Sequence, residues 1–379
     1  MKKELEIYIH IPFCVQKCKY CDFLSGPATS EIKQQYMEAL CREIMEKSAE
    51  YEGYHITSVF IGGGTPSCVE PEWIEKLMRL VRENYDLSEE AEITMEMNPG
   101  TVDRASLEIY YHAGINRLSM GLQSARSEEL AVLGRIHSYE QFLEAYFTAR
   151  KIGFLNINVD IMSGLPGQNL EDYMESLSKV TELDPPPEHV SAYSLIVEEG
   201  TLFYEAYERD ELNLPDEETD RSMYEYTRTF LQQKGYERYE ISNYAKKGFE
   251  CRHNIGYWER KHYVGFGIGA ASLVENVRFR NEDSLNRYIH NPCESVTDVE
   301  VLSVEEQMAE MMFLGLRMEK GVSFQRFQEV FGVGLMKVYG KVIEKHVQEG
   351  LLQIKKDQVF LTLKGMDVSN YVMADFLEP

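Results

Sequence analysis

Apolar positions follow two alternating rhythms over roughly residues 1–200. Short runs rich in β-branched and aromatic residues read as strands: EIYIHI from Glu6, ITSVFIGGG from Ile56, AEITMEMN from Ala91, INRLSMG from Ile115, FLNINVDIM from Phe154 and HVSAYSLI from His189. Between them, stretches such as EIKQQYMEALCREIMEKSAEY, PEWIEKLMRLVRENY, SYEQFLEAYFTARKIG and LEDYMESLSKVTEL repeat their apolar residues at helical spacing with charges in between. Strand followed by helix, repeated, predicts parallel strands in a barrel or open sheet, with chemistry at the strands' C-terminal ends. The triple proline Pro185, Pro186 and Pro187 cannot lie inside a helix and punctuates the approach to the last of these strands.

After about Gly200 the rhythm changes. A helix-like stretch from Asp216 to Lys234 leads into YERYEISNYA, then the cluster CRHNIGYW, then a glycine-rich run GFGIGA from Gly265. That run lacks the strand-then-helix context of a dinucleotide fingerprint and is expected to be a turn. From about Ser303 the pattern is helix, helix, helix and a two-stranded piece, LLQIKKDQVFLTLKG, a winged-helix-like order. The expected division is a β/α barrel over 1–200, an extension over 201–300, and a helical, winged-helix-like module over 301–379.

Charge narrows the partners. With 39 basic against 63 acidic side chains, the formal charge of −24 would repel a nucleic-acid backbone, so no nucleic-acid partner is expected and the C-terminal module reads as a packing or docking unit. The opening MKKELEIYIHIPFC lacks an uninterrupted apolar segment and a small-residue cleavage site, and no apolar run approaches the ~20 residues of a membrane helix. A cytoplasmic protein is expected. Oligomeric state is not legible.

Of seven cysteines, Cys41, Cys68, Cys251 and Cys293 are isolated, whereas Cys14, Cys18 and Cys21 form C-x3-C-x2-C directly after the first strand. Tetrahedral structural zinc wants a fourth ligand, usually from a second C-x2-C, and none exists here. Three thiolates on one loop suit a [4Fe-4S] cluster with one iron left open for the amino and carboxylate groups of S-adenosylmethionine (SAM). IYIHIPFCVQKCKYCDF resembles the opening of the radical SAM family branch that contains oxygen-independent coproporphyrinogen III dehydrogenase and a group of heme chaperones. The likeness continues through Gly62, Gly63, Gly64, Thr65 and Pro66, which resemble the family's GGGTP motif. The resemblance implies a partial radical SAM barrel in which Gly63, Gly64, Thr65, Glu96, Gln123, Arg135 and Asp160, with Tyr8 and Tyr20 beside the cluster, contact SAM.

Two features separate the branch's members. The dehydrogenase carries a further cysteine two residues after the third, where this chain has Phe23, and His253, Asn254, Tyr257 and Trp258 match the HNxxYW motif of the heme chaperones. The resemblance therefore implies heme as ligand and heme-acceptor proteins, membrane-surface ones included, as partners, with SAM cleavage secondary to heme transfer. An imidazole is a common axial ligand for heme iron and flat aromatics suit a porphyrin face, though His253 could also orient the site without ligating iron. The rival reading is a radical enzyme that modifies a tetrapyrrole by decarboxylating, methylating or opening it.

Overall fold

The computed structural model describes residues 2–377. Its frame is a twelve-stranded sheet. Six strands with helices between them, β1 (Lys3–Ile11), β2 (Tyr54–Gly63), β3 (Leu87–Met97), β4 (Arg117–Gln123), β5 (Ile157–Ser163) and β6 (His189–Ser194), lie side by side in chain order and all pair in parallel. Each coincides with one of the six strand-like runs in the sequence. Ile7, Ile9, Ile61, Met95, Leu118 and Val159 are fully buried. The intervening helices, among them Ser30–Glu46, Pro71–Asn84, Arg104–His112, Tyr139–Ile152 and Leu170–Thr181, pack apolar residues onto the same core. Removing such residues from water at about 25 cal/mol per Å² of apolar surface is the main force holding the layers together.

Helix starts are marked chemically. The side chains of Asp103 and Ser138 each accept from a backbone N–H three residues on, and their own backbone N–H groups donate to the side chains of Ser106 and Gln141, satisfying N–H groups that a helix terminus leaves open.

The segment after Gly200 extends the sheet at both edges. β7 (Glu237–Arg238) and β8 (Asn243–Ala245) continue it antiparallel beyond β6. On the other side β9 (Tyr263–Phe266) pairs in parallel with β1 and is followed by the antiparallel strands β10 (Ala271–Val274), β11 (Val277–Asn281) and β12 (Val296–Val301). The glycine-rich run is thus part strand and part turn: its first two residues finish β9. CRHNIGYW contains a short helix, Arg252–Trp258.

The C-terminal module has its own core of Met312, Leu316, Phe327, Tyr339, Ile343 and Phe376, formed by helices Val304–Gly315, Phe324–Phe331 and Leu335–Gln348 against a small sheet. That sheet has three strands rather than two, because Val322–Ser323 adds to the hairpin of Leu352–Lys355 and Gln358–Leu361. Among the described residues no helix is long and apolar enough to cross a membrane.

Candidate functional site

The loop after β1 is closed at its neck: the Cys14 N–H donates to Gly26 O at 3.0 Å and the Gly26 N–H to Pro12 O at 3.0 Å. Inside this noose Cys14, Cys18 and Cys21 are half-buried free thiols. The loop rests on the end of the fourth βα unit, with the Lys19 N–H on Leu133 O and Gln16 Nε2 on Gly134 O, and His10 braces it from β1 by bonding Leu24 O through Nε2. Among the described residues no three His, Cys, Asp or Glu side chains converge as the ligands of a single ion must. Burial pushes the Cys21 thiol pKa up, with Cys18 and Cys14 adding to the shift.

A chain of hydrogen bonds ties this loop to the strand ends. Arg135 Nη1 donates to Cys18 Sγ at 3.5 Å and its Nη2 to Asn98 Oδ1 at 2.8 Å; Asn98 Nδ2 donates to Thr65 Oγ1 at 2.8 Å, and Thr65 Oγ1 to Cys14 Sγ at 3.6 Å. Arg135 also bonds Gly121 O, and its buried Nε finds no acceptor among the described residues. Donors aimed at sulfur favour the thiolate over the thiol, as a cluster requires. Asn98 was not picked out from the sequence, although it closes the AEITMEMN run.

The other strand-end residues gather beside the loop. A cavity of 480 Å³ is lined by Tyr8, Tyr20, Cys21, Glu96, Gln123, Asp160, His253, Asn254 and Tyr257, all candidates from sequence, and also by Arg117, Asn158 and Ser191. Gln123 takes a left-handed φ of 68°, a strained conformation for a residue with a side chain and one that clusters at functional sites. The Gly63 N–H donates to Glu96 Oε2 at 3.1 Å and the Gly64 N–H to Ile11 O at 2.9 Å. Gly63 sits at φ 112° with the His10 ring so close that any Cβ would clash at 2.5 Å, so glycine is required there on both counts. Burial, with the Asp160 charge beside it, raises Glu96 to about 7; burial raises Asp160 too, offset by bonds from Asn158 and Ser191 and by Arg117 and Arg135.

The helix Arg252–Trp258 packs over β1, β2 and β3 and is held by carboxylates from the sheet. Glu92 accepts from the N–H groups of Arg252 at 3.0 Å and His253 at 3.1 Å and from Cys251 Sγ at 3.4 Å, an N-terminal cap supplied by another element. Gly256 lies against Glu6, whose carboxyl would meet a Cβ at 2.0 Å. Both ring nitrogens of the buried His253 are engaged: Nδ1 with Ser58 Oγ at 2.8 Å and Nε2 with the Tyr257 hydroxyl at 3.0 Å, the ring stacking on Phe60. Desolvation lowers His253 to about 3, so the imidazole is neutral.

Tyr257 faces two chambers. Beyond it lies a second cavity of 720 Å³ that shares Tyr8, Phe23, Glu96 and Tyr257 with the first and is otherwise lined by groups such as Trp258, Tyr263, Leu273, Phe313 and Leu314. Cys14, Gly64 and Thr65 line neither chamber, and Cys18 and Arg135 border a small recess beside the first. Sequence reasoning missed His10, Arg117, Glu92 and Glu6, whose roles depend on contacts across the sheet.

Fold and site together define a protein of the radical SAM class. Residues 8–180 match the family described as the Radical SAM superfamily, and residues 302–368 the HemN C-terminal domain. The chain is 38% identical to heme chaperone HemW of Bacillus subtilis (strain 168), covering 98% of each chain, and 41% identical to heme chaperone HemW of Escherichia coli (strain K12) over 71% of this chain and 70% of that one. It belongs to the HemW family of radical SAM proteins. Among solved structures it resembles the coproporphyrinogen III oxidase HemN of Escherichia coli, with a TM-score of 0.86 and 22% identity over 99% of this chain and 90% of that one, a likeness of fold.

Proposed function

We propose that this protein is a cytoplasmic heme carrier: it binds heme, holds a SAM-ligated [4Fe-4S] cluster on Cys14, Cys18 and Cys21, and passes the heme to acceptor proteins. The observation that carries the reading is the pair of adjoining chambers with the HNIGYW helix in their common wall, one polar and bordered by Cys21, the other broad and aromatic. At 720 Å³ the second lies within the 300–1,000 Å³ typical of pockets for cofactor-sized ligands. The names of its relatives, heme chaperones, support the same reading.

When bound, the cluster and SAM together supply reductive cleavage of a carbon–sulfur bond. The protein's own groups supply the setting. Glu96, Gln123, Asp160 and the Arg135 guanidinium match the ammonium, carboxylate and hydroxyls of SAM in charge and donor count. His10, Asn98 and Thr65 fix the loop. Tyr257, oriented by the neutral His253, stands between the two ligands, and on this reading His253 positions the tyrosine and does not ligate iron. Phe23, which occupies the place of the dehydrogenase's further cysteine, lies in the lining of both chambers.

An anaerobic heme titration of the cluster-loaded protein, followed by its Soret absorbance, tests this beside Trp258→Ala and His253→Ala, with SAM cleavage assayed on the same samples. Saturable binding weakened by Trp258→Ala supports the carrier. No specific heme binding, with conversion of coproporphyrinogen III in the presence of reductant and SAM, would make the chain a tetrapyrrole-modifying enzyme instead.

A further inference from the structure

The 720 Å³ chamber has a polar corner that the apolar walls do not explain. Two guanidinium groups, Arg260 from the turn after the HNIGYW helix and Arg278 from β11, line it, and one carboxylate serves both. Arg260 Nε donates to Glu310 Oε2 at 2.6 Å, and Arg278 Nη2 donates to Glu310 Oε1. Glu310 comes from a different body, the helix Val304–Gly315 of the C-terminal module, and is 5% exposed. Arg260 Nη1 is taken by Asn276 Oδ1 at 2.9 Å.

Glu310 serves both arginines, Glu300 also lies 3.9 Å from the half-exposed Arg278, and two buried donors in the chamber's lining lack acceptors among the described residues: Arg260 Nη2 and Trp258 Nε1. Leaving a buried donor unpaired is costly, so an ion pair serving packing alone would not be built this way. A planar fork with free N–H groups at the edge of an aromatic cavity is the geometry that takes further carboxylates.

We propose that Arg260 and Arg278 anchor the carboxylates of a flat apolar dicarboxylate, and that Glu310 is a built-in stand-in that holds the same anchor until the ligand displaces it. This rests on the heme reading for the ligand's identity: heme would lay its ring against Trp258, Tyr263 and Phe313 and offer its two propionates to the arginines. Release of Glu310 by a propionate then frees the contact between the C-terminal module and the strands β9–β11, coupling heme entry to the seating of that module.

The test compares heme with heme dimethyl ester, whose propionates carry no charge, on the cluster-loaded full-length protein. Wild type should bind heme at least about tenfold more tightly than the ester, the value of one charge-assisted pair. In Arg278→Ala, where Arg260 still holds one propionate, that preference should fall several-fold, and in Glu310→Gln, with the competing charge gone, it should rise several-fold. Equal affinity of wild type for heme and ester would overturn the anchor while leaving heme binding intact. A lower preference in Glu310→Gln would make Glu310 a structural brace and overturn its role as stand-in. Failure of wild type to bind either compound would instead strike the heme reading itself. The wild-type comparison needs no variant, and thermal melting of both variants separates loss of fold from loss of selectivity.

Discussion

Glu6 shows how much one residue can carry. Its side chain is buried in β1 against Gly256, 3.8 Å from His253 Nδ1, and its Oε2 finds no hydrogen bond. Desolvation raises its pKa to about 9, with Lys261 pulling the other way, so the folded protein keeps it protonated at neutral pH while the unfolded chain ionises it near 4.5. The native state therefore binds the extra proton, and stability falls as pH rises from about 4.5 to about 9, a cost on the order of 4 kcal/mol by pH 7.5. Glu6→Gln keeps the shape and removes the ionisation. Its denaturant-unfolding free energy should lose about one proton's worth of downward slope over that window relative to wild type, and equal slopes would show Glu6 already ionised when folded. Asn98 has a different burden, as the link between the Arg135 and Thr65 groups that point at Cys18 and Cys14. Asn98→Ala should leave the fold intact and speed loss of cluster iron to a chelator about tenfold or more, the usual effect of removing a group that orients metal ligands. Iron and sulfide content against time reads the outcome.

At the scale of elements, the helix Arg252–Trp258 is too short to be stable by itself and owes its place to Glu92 of β3. Glu92→Ala strips the acceptor from two backbone N–H groups and the Cys251 thiol and should cost about 1–3 kcal/mol. Glu92→Gln, which retains one oxygen, should fall between. Thermal unfolding gives the order, and wild-type stability in the alanine variant would mean that the helix is held by Gly256 and Phe60 packing alone. This helix also marks where the sequence stopped being legible. The six parallel strands were readable because each is a local run of apolar residues with turn signals around it, and the cysteine loop because its spacing is itself the signal. HNIGYW is six residues long and offered no helical periodicity, so nothing local announced a helix there. β9 pairs with β1 across more than two hundred and fifty residues, and GFGIGA gave no local hint that its first two residues would end a strand. Glu92, Glu6 and Asn98 matter through cross-strand neighbours, and register between strands is not written in either strand alone.

The molecule as a whole has two large cores with apolar contacts, backbone bonds and a set of ion pairs between them. The sheet's core and that of Met312–Phe376 are separate clusters, and between them run Arg260 and Arg278 to Glu310, Arg238 to Glu319, Lys320 to Glu259, and Arg221 to Asp367. These pairs are not equivalent. Arg221 and Lys320 are more than half exposed, so their bonds are each worth about 1 kcal/mol or less and are screened by salt, whereas Arg260, Glu310 and Arg238 are almost out of water and screened far less. Raising ionic strength from about 0.05 to about 0.5 M should therefore leave the wild-type module seated, since the inner pairs survive. Glu310→Gln removes the most shielded of them and leaves the outer pairs to do more of the holding, so in that variant limited proteolysis at the connection near Leu302 should become salt-dependent. Wild-type cleavage that already rises with salt would mean the inner pairs contribute little to docking. Because a ligand carboxylate displaces the same glutamate, saturating heme should give the wild-type protein the salt sensitivity of Glu310→Gln, while heme dimethyl ester should not. Heme uptake and loosening of the module would then be a single event, which is what a carrier that must hold its cargo and later give it up requires.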